Sequence, residues 1–117
     1  MTTTGIIGAR AEQRAADFLT AQGLSIIERN FRCKAGEIDL IVSDNNTLIF
    51  VEVRYRQDSS RGSGAETVTR SKIRKLIRTA EFYLLNRPIP DLDLRFDVIS
   101  VDDTLDWIKN AFTLDDR

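Results

Sequence analysis

GEIDLIVSDNNTLIFVEVRYR, residues Gly36–Arg56, decides how this chain folds. It consists of two apolar, β-branched runs separated by Asp44-Asn45-Asn46. Such runs read as strands, and asparagine tolerates the positive φ that tight hairpin turns need. With Asn45-Asn46 as a two-residue turn, Asp44 pairs with Thr47, Ile41 faces Phe50, Asp39 faces Glu52 and Glu37 faces Arg54. Side chains alternate across a strand. One face then carries Ile38, Leu40, Val42, Ile49, Val51 and Val53, all apolar. The other carries Ile41, Leu48 and Phe50 near the turn, and Glu37, Asp39, Glu52 and Arg54 at the open end. Two opposed carboxylates about 5 Å apart repel by roughly 3 kcal/mol at an effective dielectric near 20. A cation, a shared proton or a divalent metal should neutralise them. Carboxylate oxygens suit Mg²⁺ or Mn²⁺. The plainer alternative is a wet sheet surface with a Glu37–Arg54 pair.

Working outward, alanine-rich residues from Gly8 to Gln22 predict a helix, closed by Gly23 as its C-terminal cap. Leu24–Phe31 reads as a strand, Gly36–Val42 and Thr47–Arg54 as the hairpin, and Leu94–Val101 as a fourth strand. The composition of Gln57–Gly64, QDSSRGSG, predicts a mobile loop. A second helix is expected from Thr69 to Asn86, with Ile73, Leu76, Ile77, Ala80 and Leu84 on one stripe and Pro88 and Pro90 as its stop. Leu105–Phe112 has Trp107, Ile108 and Phe112 to bury, but its pattern assigns it to no element. The expected order is α-β-β-β-α-β, an α/β fold with a mixed sheet flanked by helices. Two further charges fall near the apolar surfaces. Glu12 lies inside the apolar arc of the first helix, where an unpaired carboxylate is costly. Lys72 lies at the flank of the second helix's stripe, where its stem can pack while its ammonium reaches the sheet. Each has an ordinary reading too, as a wet arc edge and a surface lysine.

The bulk composition narrows the function. At 117 residues the chain is expected to be one domain, residues 1–117, with residues 1–7 flexible. No apolar run approaches a membrane span, and the start, MTTTGIIGARAEQ, lacks the apolar core of a signal peptide. One cysteine, Cys33, makes no internal disulfide and fits a reduced cytoplasmic setting. The absence of histidine removes Ser-His-Asp and Cys-His chemistry. Net charge is −1, but it is unevenly distributed. Arg54–Arg78 holds eight Lys/Arg against Asp58 and Glu66, whereas Asp91–Arg117 holds eight Asp/Glu against Arg95, Lys109 and Arg117. A basic middle and an acidic end can orient a polyanion.

GEIDLI followed by FVEVRYR resembles the YraN family of bacterial proteins. That family is similar to archaeal Holliday-junction resolvases within the PD-(D/E)XK nuclease superfamily. The resemblance also runs through GARAEQRAADFLTAQG, VTRSKIRKL and RFDVISV, nearly the whole chain. It implies a restriction-endonuclease-like α-β-β-β-α-β core. It further implies a Mg²⁺- or Mn²⁺-dependent nuclease acting on branched or otherwise structured DNA. By that resemblance, Asp39 and Glu52 would bind the metal and Glu12 would be an additional acid. Arg54 stands where the superfamily's motif has a lysine. Arginine stays protonated and can only stabilise charge, so either Lys72 supplies the amine from the second helix, or Arg54 suffices as a phosphate clamp, or catalysis is weak or absent. Arg56, Arg61, Arg70, Arg74, Lys75 and Arg78 would grip the DNA backbone. A homodimer would give two sites for two strands. The Arg54 departure and the net acidity motivate two other readings: a nucleic-acid-binding module with a decayed nuclease site acting through partners, or an interaction domain using its acidic end.

Overall fold

The asparagine turn forms as the sequence predicts. Asp44 pairs with Thr47, and Asn45 takes a φ of 53°. The structure, a computed structural model, describes the backbone of residues 3–55, 68–87 and 93–116, and side chains from Gly8 onward. Its elements are α1 (Thr3–Ala21), β1 (Ser25–Cys33), β2 (Gly36–Asp44), β3 (Thr47–Tyr55), α2 (Arg70–Asn86), β4 (Asp93–Val101), β5 (Leu105–Phe112) and a 3₁₀ turn at Leu114–Asp116. The expected loop Gln57–Gly64 and the stop at Pro88 and Pro90 lie outside the described residues.

The strands form one sheet in the order β1-β2-β3-β4-β5. Only β3 and β4 are parallel, and α2 lies in the connection between them. Parallel neighbours need such a crossover, which separates them in sequence but not in space. The helices cover opposite faces. Ala11, Ala15, Ala16 and Leu19 of α1 pack on Leu40, Val42, Ile49, Val51, Ile99 and Val101. Leu76, Ile77, Ala80 and Tyr83 of α2 pack on Ile38, Ile41, Leu48, Phe50, Phe96 and Val98. Three alanines on the buried side of α1 let its backbone approach the sheet closely. Among the described residues, no helix is long and apolar enough to cross a membrane, which says nothing of a β-barrel.

Both helices have ends written in the sequence. Gly23, at φ 94°, closes α1: its N–H reaches Thr20 O at 3.0 Å and the Leu24 N–H reaches Leu19 O at 3.1 Å. This is the paired-bond cap that a left-handed glycine permits. At the start of α2, the Thr69 hydroxyl accepts the Lys72 N–H at 3.2 Å. The first helix begins at Thr3, ahead of the expected Gly8.

Three details differ from simple strand alternation. First, β5 is a strand, antiparallel to β4, which the sequence pattern leaves unassigned. Its register shifts between Phe96 and Val98, and Asn110 has a φ of 54°. A bulge there breaks the period of two. Second, Ile38 packs on the α2 side, not beside Leu40 as alternation requires. Third, the β2–β3 ladder runs only from Asp44–Thr47 to Leu40–Val51. Asp39 and Glu52 are therefore not a ladder pair, and Glu37 does not oppose Arg54. Glu37 bonds instead to Arg32 of β1, Nε to Oε1 at 3.4 Å.

Candidate functional site

The site lies where that ladder ends. Past Leu40 and Val51 the β2 and β3 backbones no longer pair, and the Val53 N–H is satisfied by Asp39 Oδ2 at 2.8 Å. A buried N–H left without a partner would cost about 1–3 kcal/mol, so the Asp39 side chain makes the separation tolerable. On the other flank of β2, Asn30 of β1 sits at φ 53° between Arg29, paired with Leu40, and Phe31, paired with Ile38. Arg29 reaches Gln13 on α1, while Phe31 packs on Tyr83 of α2. Both strands thus change face at Asn30 and Asp39. That switch accounts for Ile38 lying with α2 and for the lost alternation.

Separation of the strands brings together groups from opposite faces of the sheet. Asp39 contacts the carboxyl of Glu12, from α1, and that of Glu52, from β3. Lys72 Nζ, from α2, lies 3.5 Å from Glu52 Oε1. An intact sheet would keep α1 and α2 apart. Here the acid predicted on the first helix and the amine predicted on the second are linked through Asp39 and Glu52, each group contacting the next. The plainer alternative, a wet sheet surface, is not what forms at Glu52, which is only 8% exposed.

Crowding and burial show in the acidities. Glu52 is raised to about 8, first by burial and then by the charge of Asp39 and a hydrogen bond with it, against the lowering influence of Lys72 and Arg54. Glu12 is raised to about 7 by burial, by Asp39 in the same two ways and by Glu37, while Asn30 lowers it. The Asn30 amide faces acceptors on both sides. Oriented to donate, its nitrogen lies 3.2 Å from Glu12 Oε2 and 3.2 Å from Glu37 Oε1. Asn30 escaped the sequence reading, which placed Glu37 only as a partner for Arg54. Its signal was an asparagine inside a strand opposite an acid, which pattern alone does not distinguish from a bulge.

A cleft of about 240 Å³ opens over Asp39 and Glu52, lined also by Gly36, Glu37, Lys72, Lys75 and Leu76; Glu12 and Asn30 are not part of its lining. The donor set, carboxylate oxygens with a neighbouring amide, is the chemistry that hard divalent cations take. The carboxyls contact one another in pairs. Among the described residues no group of three or more Asp, Glu, Cys or His side chains stands ready arranged around a metal ion. A cation bound here would compete with the protons favoured on Glu12 and Glu52.

The predicted basic residues divide. Lys75 joins Lys72 on the cleft wall. Arg74 and Arg78 line a separate cleft of about 170 Å³ with Ile77 and Glu81. Arg70 is exposed on the first turn of α2. Arg54 lies beside Glu52 on β3 and lowers its pKa. Arg56 and Arg61 lie outside the described residues.

A second buried acid, Asp97 of β4, is 1% exposed and fully partnered. Arg95 grips it with two bonds of 2.9 Å, the Trp107 indole N–H reaches it at 2.8 Å and the Asn110 N–H at 2.9 Å. This network ties the β5 bulge to β4 and leaves no oxygen free for a ligand.

Residues 11–101 match the model of a family described as "Uncharacterised protein family UPF0102". A UPF0102 protein of Herminiimonas arsenicoxydans is 48% identical over 94% of this chain and 89% of its own length. One of Dechloromonas aromatica is 47% identical over 97% of this chain and 94% of its own. One of Persephonella marina is 46% identical over 94% and 96%. These relatives agree with the family resemblance carried by GEIDLI and FVEVR.

Proposed function

The chain belongs to the UPF0102 family, and we propose that it hydrolyses DNA phosphodiesters with the help of Mg²⁺ or Mn²⁺ at the cleft where β2 and β3 separate. The observation that carries this reading is a run of adjoining charges drawn from four elements: Glu12 against Asp39, Asp39 against Glu52, and Glu52 beside Lys72. Nothing in folding favours collecting three acids there, because repulsion and desolvation both oppose it. Ligand chemistry gives such a collection a purpose.

Asp39 and Glu52 would hold the cation, with Glu12 as a further acid. Bound there, a divalent cation would supply Lewis-acid chemistry, activating water and offsetting charge on the phosphate. The chain's own groups supply the remainder. Lys72 Nζ, 3.5 Å from Glu52, can donate to a phosphate oxygen. Arg54 stays protonated and clamps charge without moving a proton. Glu12, which contacts Asp39, can tune the charge of the carboxylate that would hold the cation. Lys75, Arg70, Arg74 and Arg78 give sequence-independent contacts to the backbone. The kinship to archaeal Holliday-junction resolvases implied by the motif belongs to this proposal. It points to branched DNA as substrate and to a dimer with two sites.

The test is cleavage of junction, flap, single-stranded and duplex DNA by folded protein with either metal. Cleavage lost in both Asp39→Asn and Glu52→Gln is the expected result; no cleavage of any substrate overturns the proposal. Arg54 at the lysine position and the lack, among the described residues, of a ready-made metal arrangement favour one second reading, a binding module without turnover. It predicts salt-sensitive DNA binding with no metal-dependent products.

A further inference from the structure

We infer that the end of the β1–β2 hairpin is a second wall of the nucleic-acid path, with Arg32 and Lys34 taking backbone phosphates. This rests on the reading that the cleft receives nucleic acid. Both residues lie outside the basic segment that the sequence marks as the DNA-binding region.

The cleft has a floor and two sides. Asp39 and Glu52 lie along its floor, Lys72 and Lys75 come from α2, and Gly36 and Glu37 come from the hairpin end. An acidic floor repels a phosphate, so a polyanion lying over it needs cations on its flanks. The α2 wall supplies them on one side. On the other side Arg32 is 74% exposed, and its Nε lies 3.4 Å from Glu37 Oε1. Glu37 itself lines the cleft, so this contact holds the guanidinium at the rim. Lys34 is exposed in the two-residue turn between the paired Cys33 and Gly36.

The hairpin end is also fixed in place. Gly36 has a φ of 154°, and a Cβ built there would come 3.0 Å from Thr79 Oγ1 on α2. The Thr79 hydroxyl is itself held, donating to Lys75 O at 2.7 Å. The glycine therefore lets the hairpin seat directly on α2 and sets the spacing between the two basic walls. The chemistry of the rim selects phosphate over base. Arg32 and Lys34 carry the positive charge that phosphate oxygens attract, and the aromatic ring beside them, Phe31, is buried and so gives bases no stacking platform. Contacts of this kind carry affinity and salt dependence without sequence readout.

The experiment measures binding of single-stranded and duplex DNA across a salt series, without divalent metal, for wild type, R32A/K34A and K109A. Lys109 lies over the Trp107 ring on β5, at the opposite edge of the sheet, and serves as the control. The expected result is a salt slope shallower by about 1.4 on single strands, or about 1.8 on duplex, in R32A/K34A, and unchanged in K109A. A wild-type slope retained by R32A/K34A overturns the inference while leaving the cleft's proposed function standing. No binding by wild type overturns both. Displacement by polyglutamate as strong as by DNA assigns the rim to an acidic protein partner and also overturns it. Cleavage plays no part in the readout, so an inactive but binding protein still tests the inference. Gly36→Ala, which keeps every charge, is expected to weaken binding by spreading the walls; unchanged affinity in a folded Gly36→Ala protein counts against the seating of the hairpin on α2.

Discussion

Asp97 and Glu52 are both acids in apolar strands, 1% and 8% exposed, and their surroundings are opposite. Asp97 receives a two-pronged arginine, an indole N–H and a backbone N–H, and in return holds the Arg95 guanidinium above its ordinary pKa through that hydrogen bonding. Glu52 has another acid, Asp39, against it and one ammonium at 3.5 Å, and its own pKa rises to about 8. One acid is fully neutralised by the fold; the other is left in need of a proton or a cation. The difference separates a structural acid from the one proposed to hold a cation, and neither burial nor position in a strand predicts it. The partners do.

The comparison is broken most easily at Asp97. Asp97→Ala strands a guanidinium and two N–H donors, and should cost about 3–5 kcal/mol in chemical denaturation. Glu52→Gln at pH 8 should cost nothing or stabilise, because it removes a charge the fold disfavours. If the two substitutions cost the same, the distinction is wrong.

Next in size is the pH dependence. An acid whose folded pKa exceeds its unfolded value binds extra protons in the fold, so stability is full below the ordinary 4.5 and is lost as pH rises through about 8. Glu12 acts in the same direction through about 7. Metal-free protein should therefore unfold at lower denaturant at pH 8 than at pH 5. The Glu52→Gln profile should be flatter, whereas a profile that rises over this range would contradict the acidities.

The smallest effect sharpens the comparison from the amine side. Thr69→Ala removes the hydroxyl that caps the Lys72 N–H, and should cost about 1 kcal/mol. With the first turn of α2 loosened, Lys72 should hold Glu52 less well, moving the pH dependence of stability upward. A cap loss that leaves that profile in place would mean Lys72 contributes little there.

Much of this was legible in the sequence because it is local. Asn45-Asn46 fixed the turn and its register, Gly23 the end of α1, and Thr69 the start of α2. Glu12 and Lys72 announced themselves as charges near apolar stripes. The rest depended on breaks in periodicity, which pattern reading assumes away. The bulge around Asn110 hid β5. The reversal at Asn30 and Asp39 moved Ile38 to the other face and ended the ladder one pair before Glu52. The sequence therefore placed Asp39 and Glu52 together, but for a reason the fold does not use. They meet because the strands separate, and that separation is also what admits Glu12 from the far side of the sheet.

The most direct test of the central claim is calorimetric titration of Mn²⁺ into the folded protein near pH 7, in two buffers of different ionisation enthalpy. The account predicts saturable binding accompanied by proton release, as the cation displaces protons favoured on Glu12 and Glu52, and its loss in Asp39→Asn and in Glu52→Gln. Absence of binding at millimolar Mn²⁺, or binding that both substitutions leave unchanged, would contradict it.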